Sequence, residues 1–490
     1  MLIEDLMEKP ERGSYSIILT LLFANQATTI KKVMEETGLS RSTILKYIEL
    51  INSLPPINQL EQMELSIDLQ EDALQLSLGL AITQKEIAYY FLSQSPKYQI
   101  IDYIFQHQQF TIQELADNLL MSDASLHRHL AGLNSLLEEF QLVIKSGKLR
   151  GPEHQIRYFY YLFFQECLPS RLFKPLLEDS AIEQQIGQIS RIFQCEFSED
   201  ELLKIVTWLH ITKRRFPRSR KNFSSLETLM RPYQDHRIYQ LVRQTTFRFF
   251  SRYAVEMDEG EAMCQFLFFK VMSVLPIVTM EHSLGYGGPI MDATTMGLQA
   301  IKLLDPSQDN LNEIAMYELS QITGKLYFFT GHLRSLASAL EEEKSSVESN
   351  ETCIGLSTQL LDGIFKDTYT NRSLYDLGDL YDLSHKEIYK VFTYILEREP
   401  KLLVVGVDLI GSVIDKKRNL QKLRASLEKN RFIVLEPFEE EVSYSLIISN
   451  QGQDRFQETK ALVYQLKSSQ VMDFDIEQLR NLMEEVLATN

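Results

Sequence analysis

Two short stretches of this chain place basic, hydroxyl and imidazole side chains where one helix end can present them together. The first is Arg41, Ser42 and Thr43, with Lys46 a turn further on. The second is Asp123, Ser125, His127 and Arg128. Arginine grips guanine through two hydrogen bonds, and serine or threonine reaches a base edge or a phosphate. Lysine supplies charge for the phosphate backbone. Asp123 stands where Arg41 stands, so the two helix heads should read different bases. Three more cations, Lys145, Lys148 and Arg150, fall in QLVIKSGKLR (141–150), around a hairpin turn expected at Ser146-Gly147. They suit phosphate or minor-groove contact.

The elements that must hold these groups are written twice. Residues 29–52 read TIKKVMEETGLSRSTILKYIELIN, and residues 111–134 read TIQELADNLLMSDASLHRHLAGLN. Without a gap they match at Thr29/Thr111, Ile30/Ile112, Ser40/Ser122 and Asn52/Asn134. Apolar residues face apolar residues at Val33/Leu115, Leu39/Met121, Ile44/Leu126, Ile48/Leu130 and Ile51/Leu133. That is a short helix, a tight turn and a second helix, the arrangement that sets a recognition helix into a DNA major groove. Gly38 supplies the first turn, Ser40 can cap the helix 41–53, and Pro55-Pro56 stop it. Residues 63–78 alternate about a turn at 70–72, as a two-stranded wing does. The second unit adds helices near 84–93 and 97–106 and the wing at 141–150. Two winged helix-turn-helix units imply a DNA-binding transcription regulator. The competing reading is that one unit only holds dimer or domain contacts.

Composition narrows the rest. At 490 residues the chain is several domains. It holds no uncharged apolar run of about twenty residues, so no membrane span is expected. The opening MLIEDLMEKPERGS lacks an apolar signal core, which favours a cytoplasmic protein. Cys167, Cys195, Cys264 and Cys353 have neither metal nor redox spacing and read as buried free thiols. No P-loop, dinucleotide fingerprint, nucleophile elbow or pair of catalytic carboxylates is visible. Neither an enzyme nor a cofactor or metal is expected. The net charge is −17, and residues 1–150 hold 12 Lys plus Arg against 19 Asp plus Glu. DNA contact must therefore come from local basic clusters on an acidic body, with strong salt dependence and a need for dimers.

Past the second wing, 151–166 is an apolar, aromatic helix, and 167–390 is helical by periodicity. Segments include 198–214, in which Trp208 reads as core, 311–340 and 385–398, and a Gly- and Pro-rich break at 276–290 divides the region into halves. After 400 the pattern alternates: strands at 401–407, 431–437, 444–450 and 460–466, helices at 414–429 and 474–488. This predicts a small parallel-sheet α/β domain.

The string Gly151-Pro152-Glu153-His154-Gln155-Ile156-Arg157-Tyr158-Phe159, set in this order of parts, resembles the Mga/AtxA family of Gram-positive virulence regulators. The resemblance covers essentially the whole chain. It implies a multidomain, mainly α protein: a winged helix-turn-helix domain at 1–80, a second, Mga-type one at 81–165, helical phosphotransferase regulation domains (PRDs) at 166–280 and 281–398, and an enzyme IIB-like α/β domain at 399–490. It also implies virulence or carbohydrate-responsive control, exerted by the sugar phosphotransferase proteins HPr and enzyme I through histidine phosphorylation.

Within that resemblance Trp208-Leu209-His210 followed by Lys213-Arg214-Arg215 is similar to a PRD core, and His210 is the first candidate acceptor. An imidazole suits the task because one nitrogen attacks while the other is held. The plain alternative is a hydrogen-bonded helix histidine. His332 (TGHLR) and His385 (LSHKE) are further candidates; His385 follows Ser384 at an expected helix start, where it can serve the cap instead. His236 and His282 have less context. GEAMCQFLFFKVM (260–272) lacks the second histidine that such domains carry. The run TKRRFPRSRK (212–221) can bind a phosphohistidine, nucleic acid or an acidic partner, or simply be a solvated helix end. In the IIB-like part Gly406 stands where a phosphorylatable cysteine is expected, and no cysteine follows Cys353. That domain reads as an interaction module, and Asp408 as a solvated carboxylate.

The resulting expectation is a homodimer or higher oligomer on double-stranded DNA. The competing functions are a PRD-containing RNA-binding antiterminator and a phosphotransferase component.

Overall fold

The duplicated pattern builds two winged units of one local design. In the first, α1 (Lys9–Leu22), α2 (Ile30–Thr37) and α3 (Arg41–Asn52) carry a sheet in which β1 (Thr28–Thr29) and β2 (Leu65–Gln70) flank β3 (Ala73–Leu78). In the second, α4 (Gln84–Gln94), α5 (Pro96–His107), α6 (Ile112–Asn118) and α7 (Asp123–Leu137) lead to the hairpin of β4 (Val143–Lys145) and β5 (Lys148–Arg150). The computed structural model describes residues 1–24, 28–53, 65–70, 72–79, 82–216, 221–251, 258–288, 290–304, 313–345, 350–367, 379–396, 403–427, 433–439, 442, 444–451, 456, 461–468 and 470–489.

Each polar identity between the repeats performs one structural task twice. Thr29 and Thr111 cap α2 and α6, their hydroxyls accepting from the amides of Lys32 (3.3 Å) and Glu114 (3.2 Å). Ser40 and Ser122 cap α3 and α7, accepting from Thr43 and Ser125, both at 3.3 Å. These caps satisfy amides that a helix start leaves without partners. Asn52 and Asn134 tie the far end of the second helix to the wing. Asn52 accepts from the Ile67 amide at 2.8 Å and donates to its carbonyl at 2.9 Å. Asn134 does the same to Ile144, at 2.7 and 3.1 Å. The apolar pairs Val33/Leu115, Ile44/Leu126 and Ile51/Leu133 are fully buried. The turns differ in one residue. Gly38 takes a left-handed φ of 68°, and Leu120, at the same register, takes 51° while 93 % exposed. That conformation suits glycine and strains leucine.

α8 (Glu153–Cys167) follows the second wing, and all of its residues except Gln165 and Glu166 are buried. Such a helix belongs to the centre of a core. On one flank Phe105 and Phe140 of the second winged unit meet Tyr160 (4.9 Å between centroids) and Phe159 (5.2 Å). On the other, Trp208 meets Tyr161 at 6.3 Å and Phe329 stacks on Tyr158 at 4.1 Å. Trp208 is indeed core: it stacks on Phe268 at 4.7 Å and donates to Gln265.

The helices around α8 are α9 (Lys174–Leu177), α10 (Ser180–Phe193), α11 (Glu199–Arg215), α12 (Ser224–Met230), α13 (Arg237–Phe250), α14 (Glu259–Val271), α15 (Ile277–Ser283), α16 (Met291–Leu304), α17 (Glu313–Phe328), α18 (Leu336–Ser345), α19 (Glu351–Asp367) and α20 (Asp379–Leu396). The continuous helix expected over 311–340 is split between α17 and α18. Gly331 adopts φ 72°, and a side chain there would lie 2.9 Å from the Glu139 carbonyl and the Phe140 ring. Close packing against the second winged unit, invisible to periodicity, breaks the helix. α15 lies inside the Gly- and Pro-rich stretch at 276–290 that the sequence marks as a break.

Met1–Thr393 and Tyr394–Asn490 form two compact units. In the first, one apolar core runs without interruption from Met1 to Ala337. In the second, β6 (Leu403–Asp408), β7 (Ile433–Pro437), β8 (Leu446–Ser449) and β9 (Leu462–Gln465) make a wholly parallel sheet, ordered β7-β6-β8-β9, with α21 (Val413–Leu427) and α22 (Asp473–Thr489).

Candidate nucleic-acid interface and the histidine beside it

At the head of α3, Arg41, Ser42 and Lys46 are exposed. Arg41 is not idle: its guanidinium reaches Asp72 at the tip of the wing, 2.8 Å away. Thr43 is half-buried and its hydroxyl lies 2.8 Å from the Ser40 hydroxyl, so it takes part in the cap. At the head of α7, His127 and Arg128 are exposed, while Ser125 is half-buried behind the Ser122 cap. His129 faces elsewhere, toward Glu8 at 3.5 Å.

The second wing turns at Ser146 (φ 53°) and Gly147 (φ 70°), a pair of left-handed residues that matches hairpin twist. Only glycine fits at 147, because a methyl there would sit 1.9 Å from the Phe110 carbonyl oxygen. The Phe110 amide in turn donates to the Gly147 carbonyl at 3.0 Å. Lys145 and Arg150 are exposed and Lys148 half-buried; Arg150 donates to the Lys145 carbonyl at 3.2 Å, which steadies the hairpin.

Residues 80–164 match the family model of the Mga helix-turn-helix domain. The Mga helix-turn-helix domain is thus the second winged unit, from just before α4 to within α8. It points to a DNA-binding transcription regulator. The first winged unit lies outside the match. No curated protein matches the chain.

The junction string at the end of the Mga helix-turn-helix domain has a buried electrostatic role. Arg157 donates to Glu153 at 3.0 Å and to Glu261 at 2.7 Å. Arg215 closes a two-point grip on Glu153, both bonds 2.8 Å, and Lys221 pairs with Glu261. Burial alone would raise the Glu153 carboxyl; Arg215, Arg157 and Lys221 override it and hold the group well below its ordinary range. Two cations of the basic run 212–221 are neither solvated nor open to a ligand. Arg215 and Lys221 are spent inside the protein. Lys213 pairs with Asp179 at 2.5 Å, and Arg214 donates to the Gln106 carbonyl at the end of α5. Residues 217–220 lie outside the described residues.

His210 lies on α11 against the second winged unit, 5.5 Å from the Phe105 ring and 6.3 Å from Phe164. Its ring is half-buried and has no hydrogen-bond partner among the described residues. Burial, with Arg214 and Lys213 nearby, pushes its pKa down to about 4. The imidazole is therefore neutral near pH 7, the form that can attack phosphorus. It forms the shared wall of two adjoining cavities of about 720 and 370 Å³.

The other two histidines are placed differently. His332 stands in the segment between α17 and α18, with its amide on Glu139 at 2.8 Å. Its Nδ1 is sealed from solvent without a partner among the described residues, and burial pushes its pKa down to about 3. His385 is not at a helix start, because α20 begins at Asp379. Instead its Nε2 lies 3.0 Å from the Thr358 hydroxyl on α19.

In the α/β unit Gly406 lies inside β6, paired with Glu436 and Ile447, rather than in a loop after it. A side chain there would come within 3.2 Å of Phe438 and Tyr444. At the strand end Asn450 takes the Ile410 amide and carbonyl, at 2.8 and 2.9 Å, and Ser412 caps α21. Asp408 accepts from Gln451 at 3.1 Å rather than standing in solvent alone. The Ile410 backbone in this loop is thus engaged by the chain's own Asn450 side chain.

Among the described residues no cluster of three His, Cys, Asp or Glu is placed to hold a metal, and no helix is long and apolar enough to cross a membrane. Cys167, Cys264 and Cys353 are buried free thiols, and Cys195 is a half-buried one. The ion cluster and the cavities escaped sequence reasoning. The four-residue spacing of Glu153 and Arg157 was the one visible signal for the cluster.

Proposed function

We propose that the chain is a promoter-binding transcription regulator whose second winged unit reads duplex DNA through α7 and its wing. The observation that carries this is the exposure of His127, Arg128, Lys145 and Arg150 on a capped helix and an Asn134-tied hairpin, inside the matched segment. The first winged unit, with Arg41, Ser42 and Lys46 outward, supplies a second contact.

The switch in this reading is a phosphoryl group on His210, delivered from HPr and enzyme I. A ring held neutral by burial and packed against Phe105 of α5 in the reading unit supports that assignment. Arg214, one turn on, is drawn to the new dianion and lets go of the Gln106 carbonyl. α5 then shifts, and with it the spacing of recognition helices in a dimer joined through the C-terminal α/β unit.

The test is gel-shift and sedimentation of the whole protein, with and without HPr, enzyme I and phosphoenolpyruvate, on promoter DNA and on hairpin RNA. Duplex should be preferred over RNA, and phosphorylation should change both dimerisation and affinity in wild type but not in His210→Ala. RNA preference would favour an antiterminator. An unchanged response in His210→Ala would remove the switch from this site.

A further inference from the structure

The two cavities that meet at His210 differ in chemistry. The larger, about 720 Å³, lies between α4, α5, α8, α11 and the apolar 168–176 segment that enters α9, and reaches the end of α6. It holds the ring of Tyr103, which stacks on His107 at 4.0 Å, and the neutral amides of Gln99, Gln106 and Asn118. Asp102 is its one carboxyl group, hydrogen-bonded to Gln106 and raised above its ordinary pKa by burial. No lysine or arginine is among the described residues that line it. The smaller chamber, about 370 Å³, adds Lys213 and Arg214, opposed by Asp179. Gln106, Leu176 and His210 line both.

We propose that this double chamber binds a small organic phosphate, with its neutral body in the larger part and its phosphate against Arg214 and Lys213 in the smaller. Each chamber falls within the roughly 300–1,000 Å³ typical of small-molecule sites. Planar amides donate and accept together, so they recognise hydroxyl or ring-nitrogen patterns, and the Tyr103 face takes a flat or puckered ring. An anion is excluded from the larger part, which offers it no cation, and is favoured at the smaller. Arg214 uses one donor on Gln106 and keeps others for phosphate oxygens. The bound ligand covers the His210 ring and touches Asn118, where α6 enters the turn before the recognition helix. It therefore shields His210 and biases the reading unit. Binding itself rests on the cavity alone; only these two consequences rest on the regulator reading.

The experiment is titration calorimetry of the full chain, without DNA or HPr. The probes are adenosine 5′-monophosphate and glucose 6-phosphate, set against adenosine, glucose and inorganic phosphate. At least one organic phosphate should bind more tightly than both of its halves. Arg214→Gln and Asn118→Leu, checked for native circular dichroism, should each weaken it by about tenfold or more. Equal binding of inorganic phosphate would mean an exposed arginine and no site. Equal binding of the neutral parent would remove the phosphate from the proposal. No heat from either organic phosphate at millimolar concentration, or no loss in both folded variants, would overturn it. A positive titration with no effect on DNA affinity would keep the site and sink only its link to the reading unit.

Discussion

Asn134→Ala is the sharpest probe of how the second winged unit works. The side chain satisfies both the amide and the carbonyl of Ile144, at 2.7 and 3.1 Å, and Ile144 is only 8 % exposed. A neutral hydrogen bond contributes about 1 kcal/mol, and a buried group left without a partner costs about 1–3 kcal/mol. The site is partly open to water, so the lower end applies to each group, and the total loss should be about 2 kcal/mol. Hydrogen exchange at the Ile144 amide should accelerate about 30-fold, and urea unfolding should report a similar local loss. The same change frees a hairpin bearing Lys145, Lys148 and Arg150. Each phosphate contact contributes about 0.9 to the slope of log affinity against log salt, so the slope should fall by about 1–3. Asn52→Ala, at the equivalent place, is the internal comparison; an equal effect on DNA would mean that both units read. Unchanged exchange at Ile144, or a salt slope equal to wild type, would refute the idea that this clamp positions the wing.

Leu120→Gly should stabilise the protein by about 0.5–1 kcal/mol: relief of the left-handed backbone gives about 1–2 kcal/mol, offset by about 0.5–1 for glycine's extra entropy. The side chain is 93 % exposed, so no packing is lost, and a lower urea midpoint would contradict the strain. Glu153→Gln should cost about 3–5 kcal/mol in thermal unfolding, because Arg157 and Arg215 lose a buried counter-ion. His210 has its pKa lowered from 6.5 to about 4, so the unfolded chain binds more protons between those values. The stability it confers is complete above 6.5 and is lost as pH falls toward 4, about 2 kcal/mol by pH 5. His210→Gln should flatten that part of the acid limb in urea titrations at pH 7 and 5.

The winged units were legible because their grammar is local. Caps, turn and clamp act within a few residues or on the next hairpin, and the repeat exposed them as identities. Leu120 was not legible, since nothing in a leucine announces a left-handed turn; only its register with Gly38 marks it. The parallel pairing of the last four strands followed from alternation, but reading Gly406 as a loop position conflicted with its place inside the strand, where it pairs on both sides. His385 was misread because Ser384 looks like a cap when the helix start upstream is not recognised. The ionic partners of Glu153 and Arg157 lie 62 and 104 residues along the chain, and no local pattern encodes such pairings. The chambers at His210 are assembled from α4, α5, α6, α8, α9 and α11, and only the folded chain brings those walls together.

A helix with no wet side cannot serve as a tether. Swinging the second reader away from α11 would strip α8 of aromatic neighbours on both flanks and open the carboxylate–guanidinium lattice at its start. The second winged unit and α11 therefore travel as one rigid block. In the regulator proposed above, a signal would then be expressed as a change in how two such blocks are spaced along a promoter, or as an ångström-scale slide of α5, whose Phe105 ring packs against His210.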